Sequence, residues 1–270
     1  MSPETILADA IERALAQPRR RPLVLGLCGA QGSGKSTVAA ALAARIPQSV
    51  VVSLDDLYCT RRARATLAAD VHPLFATRGV PGTHEVALGL DTFARLDAGQ
   101  AVPLPRFDKA TDDRVDPALW IPAPVPTRLV IFEGWCVGVR AQDAAALAEP
   151  VNALERDRDP HGVWRRHVNA ALAGMYQRLF ARIDSLALLR APSWERVLAW
   201  RLEQEQSLRR LGADGVGVMS DQAVRAFVSH YERLTRHILD TMPDHADLVL
   251  QLDDDRNCIA IERRRPMPHP

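Results

Sequence analysis

Five short apolar runs punctuate the chain, at 23–28, 50–54, 129–132, 186–189 and 248–252. Between them apolar residues recur every three or four positions. Ile6, Leu7, Ile11 and Leu15 precede the first run, and Ala39, Leu42 and Ile46 follow it. Trp164, Val168, Leu172, Met175 and Leu179 precede the fourth, and Val224, Phe227, Val228, Tyr231, Leu234 and Ile238 precede the fifth. Continuous apolar runs suit strands buried on both faces, and the intervening period suits helices that cover them. The pattern predicts a three-layer α/β/α domain around a five-stranded parallel sheet, with these apolar positions as its core.

The rhythm breaks between the second and third runs, where some 70 residues intervene and six prolines fall within 103–126. Residues 91–99 read as a short helix with Asp91 as N-cap and Gly99 as stop, and most of the rest as irregular chain. Long connections in compact domains commonly carry function. The insertion, about 59–127, is therefore expected to bind substrate. A second break, Gly212, Gly215 and Gly217, lies between a basic helical stretch and Ser220, a suitable N-cap. It predicts a hinged lid over about 201–219. The whole reads as one domain over 1–262 with a frayed tail over 263–270.

Charge and cysteine content narrow the class. Thirty-four basic residues face 33 acidic ones, a net charge of +1, which gives no global pull toward nucleic acid or an anionic membrane. In the helix over 190–210, Glu195, Glu203 and Glu205 interleave with the arginines, so pairing along a solvated helix explains that basic stretch better than nucleic acid does. Cys28, Cys59, Cys136 and Cys258 are far apart with no metal-ligand spacing. They are expected to be reduced thiols of a cytoplasmic protein. No apolar run approaches the roughly 20 residues that span a bilayer. The first residues are acidic and helically patterned, unlike a targeting segment.

One motif changes the picture. Gly29, Ala30, Gln31, Gly32, Ser33, Gly34, Lys35 and Ser36 match G-x-x-x-x-G-K-[ST], between a predicted strand and a predicted helix. Glycines let backbone amides curl around phosphate, and the helix N-terminus adds its positive end. Lys35 is then expected at the β and γ phosphates of a nucleotide, Ser36 on Mg²⁺ and Thr37 at the α phosphate.

Two further strand ends are acidic. Asp55 and Asp56 follow the second run, and Glu133 follows the third. In an open parallel sheet these ends form the ligand crevice. Phosphoryl transfer to a hydroxyl needs a carboxylate beside the attacking oxygen. Asp55, first off its strand, is the favoured base, and Glu133 is placed as the Walker B carboxylate on Mg²⁺. A GTPase switch is disfavoured, because neither lysine of the chain sits in an N-K-x-D context.

The strings GAQGSGKST (29–37), SLDDLY (53–58), RGVPGTHE (78–85), LPRFDKATDDR (104–114) and FEGWCVG (132–138) resemble the D-glycerate 3-kinase family of plant and fungal type. That family is related to the phosphoribulokinase, uridine kinase and pantothenate kinase branch of P-loop kinases. PVNALE (150–155), WRRHVNAAL (164–172), WRLEQEQSLRR (200–210) and MSDQAVRAFVSHYERL (219–234) continue the resemblance over about 20–250. It implies a P-loop kinase fold and an ATP- and Mg²⁺-dependent small-molecule kinase, with glycerate as the acceptor. Residue by residue, it implies Lys35, Asp55 and Glu133 as catalytic groups and residues 29–37 as the phosphate loop. Asp56, Tyr58, Arg78, His84, Lys109 and Arg114 fall in the acceptor region, and Arg201 and Arg209 beside the lid as ATP contacts. Leu57 departs from the family, which usually has an aromatic there.

Glycerate carries a carboxylate beside two hydroxyls, so its pocket needs a cation and an anchored base. Arg78, His84, Lys109 and Arg114 supply candidate cations. Lys109 stands out: of the 34 basic residues only it and Lys35 are lysine. Two alternatives stay open, another small hydroxyl acceptor (pantothenate, a pentose phosphate or a nucleoside) and a regulatory protein that binds ATP without transfer. Neither a nucleic-acid nor a membrane partner is expected, and the sequence leaves the oligomeric state open.

Overall fold

A computed structural model describes residues 2–210 and 219–264. The strands are β1 (Leu23–Gly29), β2 (Ser49–Ser53), β3 (Phe107–Asp108), β4 (Asp113–Arg114), β5 (Leu129–Gly134), β6 (Ser185–Arg190), β7 (Leu248–Leu252) and β8 (Cys258–Arg263). The α-helices are α1 (Pro3–Leu15), α2 (Lys35–Arg45), α3 (Arg61–Asp70), α4 (Val86–Asp97), α5 (Ala153–Arg158), α6 (Val163–Ala171), α7 (Gln177–Phe180), α8 (Trp194–Arg210), α9 (Asp221–Val228) and α10 (Glu232–Thr241).

The main sheet runs β2-β5-β1-β6-β7-β8. Its first five strands are parallel, matching the five apolar runs, and β8 pairs antiparallel with β7. Alternate residues of each buried strand enter opposite cores. Val24, Val52, Phe132 and Val249 meet α4, α6 and α10 on one face, through Phe93, Trp164, Leu234 and Ile238. Leu25, Leu27, Ile131 and Leu250 meet α1, α2, α8 and α9 on the other, through Ile6, Leu42, Trp200 and Val224. Truncating a side chain such as the fully buried Phe132 to Ala costs about 3–5 kcal/mol. Among the described residues no helix is long and apolar enough to cross a membrane.

Several expectations need correction. β8 was missed because its alternating Ile259 and Ile261 are exposed, so no core face marks it. It takes in Arg263, where a frayed tail was expected; residues 265–270 lie outside the described residues. The insertion holds more helix than predicted. α3 has only Arg64 buried, a face that apolar periodicity cannot find. α4 begins at Val86, so Asp91 is inside the helix and not its cap; its inner face is Val86, Gly89, Phe93 and Leu96. Met175 is exposed because a π-helical turn over Leu172–Tyr176 rotates the register and buries Tyr176 instead. The stripe from Val224 to Ile238 belongs to two helices, α9 and α10. Ser220 does cap α9, accepting from the Ala223 amide at 3.2 Å. The predicted glycine hinge at Gly212, Gly215 and Gly217 lies outside the described residues.

Candidate active site

The phosphate loop joins the C-terminal end of the central strand β1 to the N-terminus of α2. Gly32 and Gly34 have φ of +80° and +84°, a region that non-glycine residues seldom enter. A Cβ on Gly32 would also lie 2.7 Å from Trp200 Cβ. The loop closes through the Ser33 amide, which donates to the Ala30 carbonyl at 3.2 Å. α2 starts at Lys35 behind Gly34 and has no side-chain cap, so its first amides remain available to an anion. Ser33 Oγ and Gln31 Oε1 are buried without a partner. The Lys35 side chain makes no hydrogen bond or ion pair among the described residues.

Sheet register brings the acidic strand ends together. Ser53 of β2 lies opposite Glu133 of β5, and Glu133 lies opposite Leu27 of β1. Ser53 Oγ donates to Glu133 Oε1 at 2.7 Å and accepts the Asp55 amide at 3.3 Å, which turns the chain from β2 into a short 3₁₀ helix over Leu54–Leu57. Ser36 Oγ, from the first turn of α2, is 3.4 Å from the same Glu133 oxygen. Glu133 Oε2 is buried and unpartnered. An orphaned carboxylate oxygen beside a serine hydroxyl fits Mg²⁺, a hard cation usually held by one or two protein oxygens plus phosphate and water. No group of three or more His, Cys, Asp or Glu residues forms a self-sufficient metal site among the described residues.

Asp55 is held at both oxygens. Tyr58 Oη donates to Oδ1 at 2.8 Å and Lys109 Nζ to Oδ2 at 2.6 Å. Burial alone would raise its pKa, but the fields of Lys109 and Lys35 and the hydrogen bonds from Lys109 and Tyr58 prevail and lower it to about 2. Asp56 serves a different purpose. It accepts the Phe107 amide at 3.0 Å and Arg106 at 3.0 Å, anchoring the β3–β4 hairpin that carries Lys109.

The other predicted acceptor residues surround that hairpin. Arg114 binds the Tyr58 carbonyl at 3.0 Å and Glu85 at 2.7 Å. Arg78 and the buried Arg64 both grip Asp112 in the hairpin turn, and both guanidinium groups lie over the Phe107 ring. The Tyr58 ring stacks on His84 with centroids 4.5 Å apart, and His84 Nδ1 is 2.6 Å from Tyr176 Oη. His84 was a candidate cation. Burial lowers its pKa to about 4, so at neutral pH it is an uncharged brace for Tyr58. Leu57, the departure from the family, is fully buried and faces Gly89 of α4.

The arginines of α8 separate. Arg201 pairs with the buried Glu205 at 2.8 Å, and its backbone adjoins Gly32. Arg209 pairs with Asp221 at 2.8 Å and bonds the Met219 carbonyl, which directs it toward α9. Sequence reasoning missed Ser53, Arg64, Asp112, Tyr176 and Tyr231. Tyr231 Oη donates to the Arg78 carbonyl at 3.1 Å, and its partner Trp135 donates to the Gly79 carbonyl at 2.9 Å. Gly79 is obligatory there, since a Cβ would come within 1.9 Å of Tyr231 Oη. Only the serine preceding Asp55-Asp56 carried a usable signal, as a side chain able to cap the following turn.

Cys28 and Cys136 flank the site. Cys28 Sγ donates to the Trp135 carbonyl at 3.3 Å, and burial pushes its pKa up to about 12. Burial likewise raises that of Cys136 well above the thiol range. Both are poor nucleophiles.

No family model matches the chain. An uncharacterized kinase of Schizosaccharomyces pombe, mug58, is 38% identical over 249 residues, covering 86% of this chain and 87% of the relative. The chloroplastic D-glycerate 3-kinase of Arabidopsis thaliana is 29% identical over 88% of this chain, which spans about half of that enzyme (54%). Among solved structures, D-glycerate 3-kinase from Cryptococcus neoformans superposes with a TM-score of 0.80 at 23% identity, over 97% of this chain and 99% of that one. The YGR205w protein superposes at 0.79 with 25% identity, over 96% of each. With a phosphate loop, an ionised aspartate and a buried Glu133 converging at three parallel strand ends, and a relative at 38% identity along most of its length, the chain belongs to the D-glycerate 3-kinase family of P-loop kinases and is an ATP-dependent kinase.

Proposed function

We propose that the protein transfers the γ-phosphoryl group of MgATP to a hydroxyl of D-glycerate, giving 3-phosphoglycerate and ADP. One observation carries this reading: Asp55 is ionised, fixed by Tyr58 and Lys109, and sits at the strand end beside the phosphate loop. Residues 29–37 bind the triphosphate, with Arg201 beside them, and Ser36 and Glu133 would hold Mg²⁺, which supplies charge neutralisation. Arg78 and Arg114 shape the acceptor pocket. The kinase domain extends through β8 to Arg263, with the acceptor insertion over about 59–127.

Asp55 orients the attacking hydroxyl and receives its proton as the new O–P bond forms. The bond from the γ phosphorus to the bridging oxygen breaks, and ADP departs. A carboxylate with so low a pKa is a weak base, and that is compatible with the chemistry, because phosphoryl transfer has a loose transition state that demands position more than basicity. The acceptor carboxylate would draw Lys109 toward itself, freeing Asp55 Oδ2 and restoring its basicity. The acceptor thereby completes the site that phosphorylates it.

Similarity to the Arabidopsis D-glycerate 3-kinase supports glycerate. An ATP-binding protein without transfer would have no use for a carboxylate so anchored. The test is an ADP-release screen over D-glycerate, pantothenate, a pentose phosphate and a nucleoside, with product identified by mass spectrometry. Turnover with D-glycerate is expected; turnover only with another acceptor would overturn the choice of substrate.

A further inference from the structure

The strand β8 adds little to either core, since five of its six residues are exposed. What it does is form a hairpin with β7 whose turn reaches the phosphate loop. Asp253 organises that turn, accepting the amides of Asp255 at 2.9 Å and Asn257 at 2.8 Å and the Asn257 side chain at 3.0 Å. Arg256 sits at its apex with φ of +69°, a left-handed conformation that is uncommon for a non-glycine residue and points to tertiary restraint.

The restraint is visible in its contacts. Arg256 Nε donates to the Gly32 carbonyl at 2.7 Å, and its outer nitrogen donates to Glu203 at 3.1 Å. Its guanidinium lies 5.0 Å from the Trp200 ring centre. Trp200 Nε1 donates back to the Asp254 carbonyl at 2.7 Å, and Trp200 Cβ fills the space beside Gly32 that any other residue would need. Phosphate loop, α8 and hairpin turn are thus locked at Gly32.

We propose that Arg256 is a positioning residue for ATP binding: it fixes the Gly32 peptide and brings a positive charge to the outer rim of the phosphate loop. The inference rests on the reading of residues 29–37 as the triphosphate site. Gly32 is one of the two loop glycines with positive φ, and its carbonyl, if released, is free to rotate toward the anion and repel it. A charge-assisted hydrogen bond holding that peptide pre-organises the cradle before the nucleotide arrives. The antiparallel strand is then the means of delivering this side chain from the far end of the sequence.

The test is direct binding of MgATP and of inorganic tripolyphosphate, by calorimetry without acceptor, to wild type, Arg256→Gln and Arg256→Lys. Arg196→Gln serves as the control, because Arg196 anchors the same turn through the Asp254 carbonyl without touching Gly32. Arg256→Gln is expected to weaken ATP and tripolyphosphate alike by about tenfold, and Arg256→Lys by less. The KM for ATP should rise similarly while that for the acceptor moves less than twofold. If Arg256→Gln binds within twofold of wild type, or if Arg196→Gln loses as much, the proposal fails. Loss confined to ATP, with tripolyphosphate unaffected, also overturns it by assigning Arg256 to the nucleoside. Wild type binding neither ligand would overturn the triphosphate site itself.

Discussion

Lys109 Nζ lies 2.6 Å from Asp55 Oδ2, joining one of only two lysines in the chain to the carboxylate that leaves β2. The contact links the β3–β4 hairpin to the proposed base. A compact ammonium can be drawn from one carboxylate to another, whereas a guanidinium fork would hold Asp55 in two-point geometry. Lys109→Arg is therefore expected to raise acceptor KM several-fold and lower kcat, with ATP binding intact. Steady-state kinetics over both substrates check this.

Removing the charge has a pH signature. Asp55 has a depressed pKa, so in wild type its acidic limb lies near pH 2, below the range where the folded enzyme is assayed. In Lys109→Met, burial acts with less opposition and the pKa rises. The acidic limb of kcat/KM is expected to move up into the accessible range, visible as a fall in rate between about pH 6 and 4.

Asp55→Asn keeps the shape and loses the proton acceptor. Turnover is expected to fall by about 10²–10⁴-fold with MgATP binding unchanged in calorimetry. Near wild-type turnover would remove Asp55 from the role of base.

His84 predicts a stability slope. Its folded pKa is lowered to about 4 from 6.5, so between these values the unfolded chain binds more protons than the folded one. Stability is full above the unfolded value and is lost as pH falls through the folded one, by about 3 kcal/mol in all. Urea midpoints should drop from pH 7 to pH 4.5, and His84→Asn should flatten that portion of the curve.

Glu133→Gln leaves the Ser53 contact possible but removes the buried charge beside Ser36. The Mg²⁺ concentration for half-maximal rate is expected to rise at least tenfold. A magnesium titration at fixed ATP measures it, and no change would separate Glu133 from the metal.

Much of the site was legible because it follows from local chain order. The spacing from Gly29 to Ser36 encodes a loop followed by a helix, and Asp55 and Glu133 each follow an apolar run that has to be a buried strand. Backbone sterics and burial make those statements nearly independent of the rest of the fold. Five parallel strands, the phosphate loop and the membership of the kinase family were accordingly available from the sequence by itself.

What only the tertiary structure decided are the partnerships between distant segments. Ser53 meets Glu133 because β2 and β5 are neighbours in register, and no spacing along the chain encodes that adjacency. His84 looked like a cation until burial against Tyr58 and Tyr176 made it neutral, and Asp56 looked like a substrate ligand until the hairpin claimed both its oxygens. Arg256 reaches Gly32 across 224 positions, from a turn leading into a strand whose Ile259 and Ile261 are exposed. A side chain's charge and direction depend on what packs around it, so its residue type and position alone leave both undetermined.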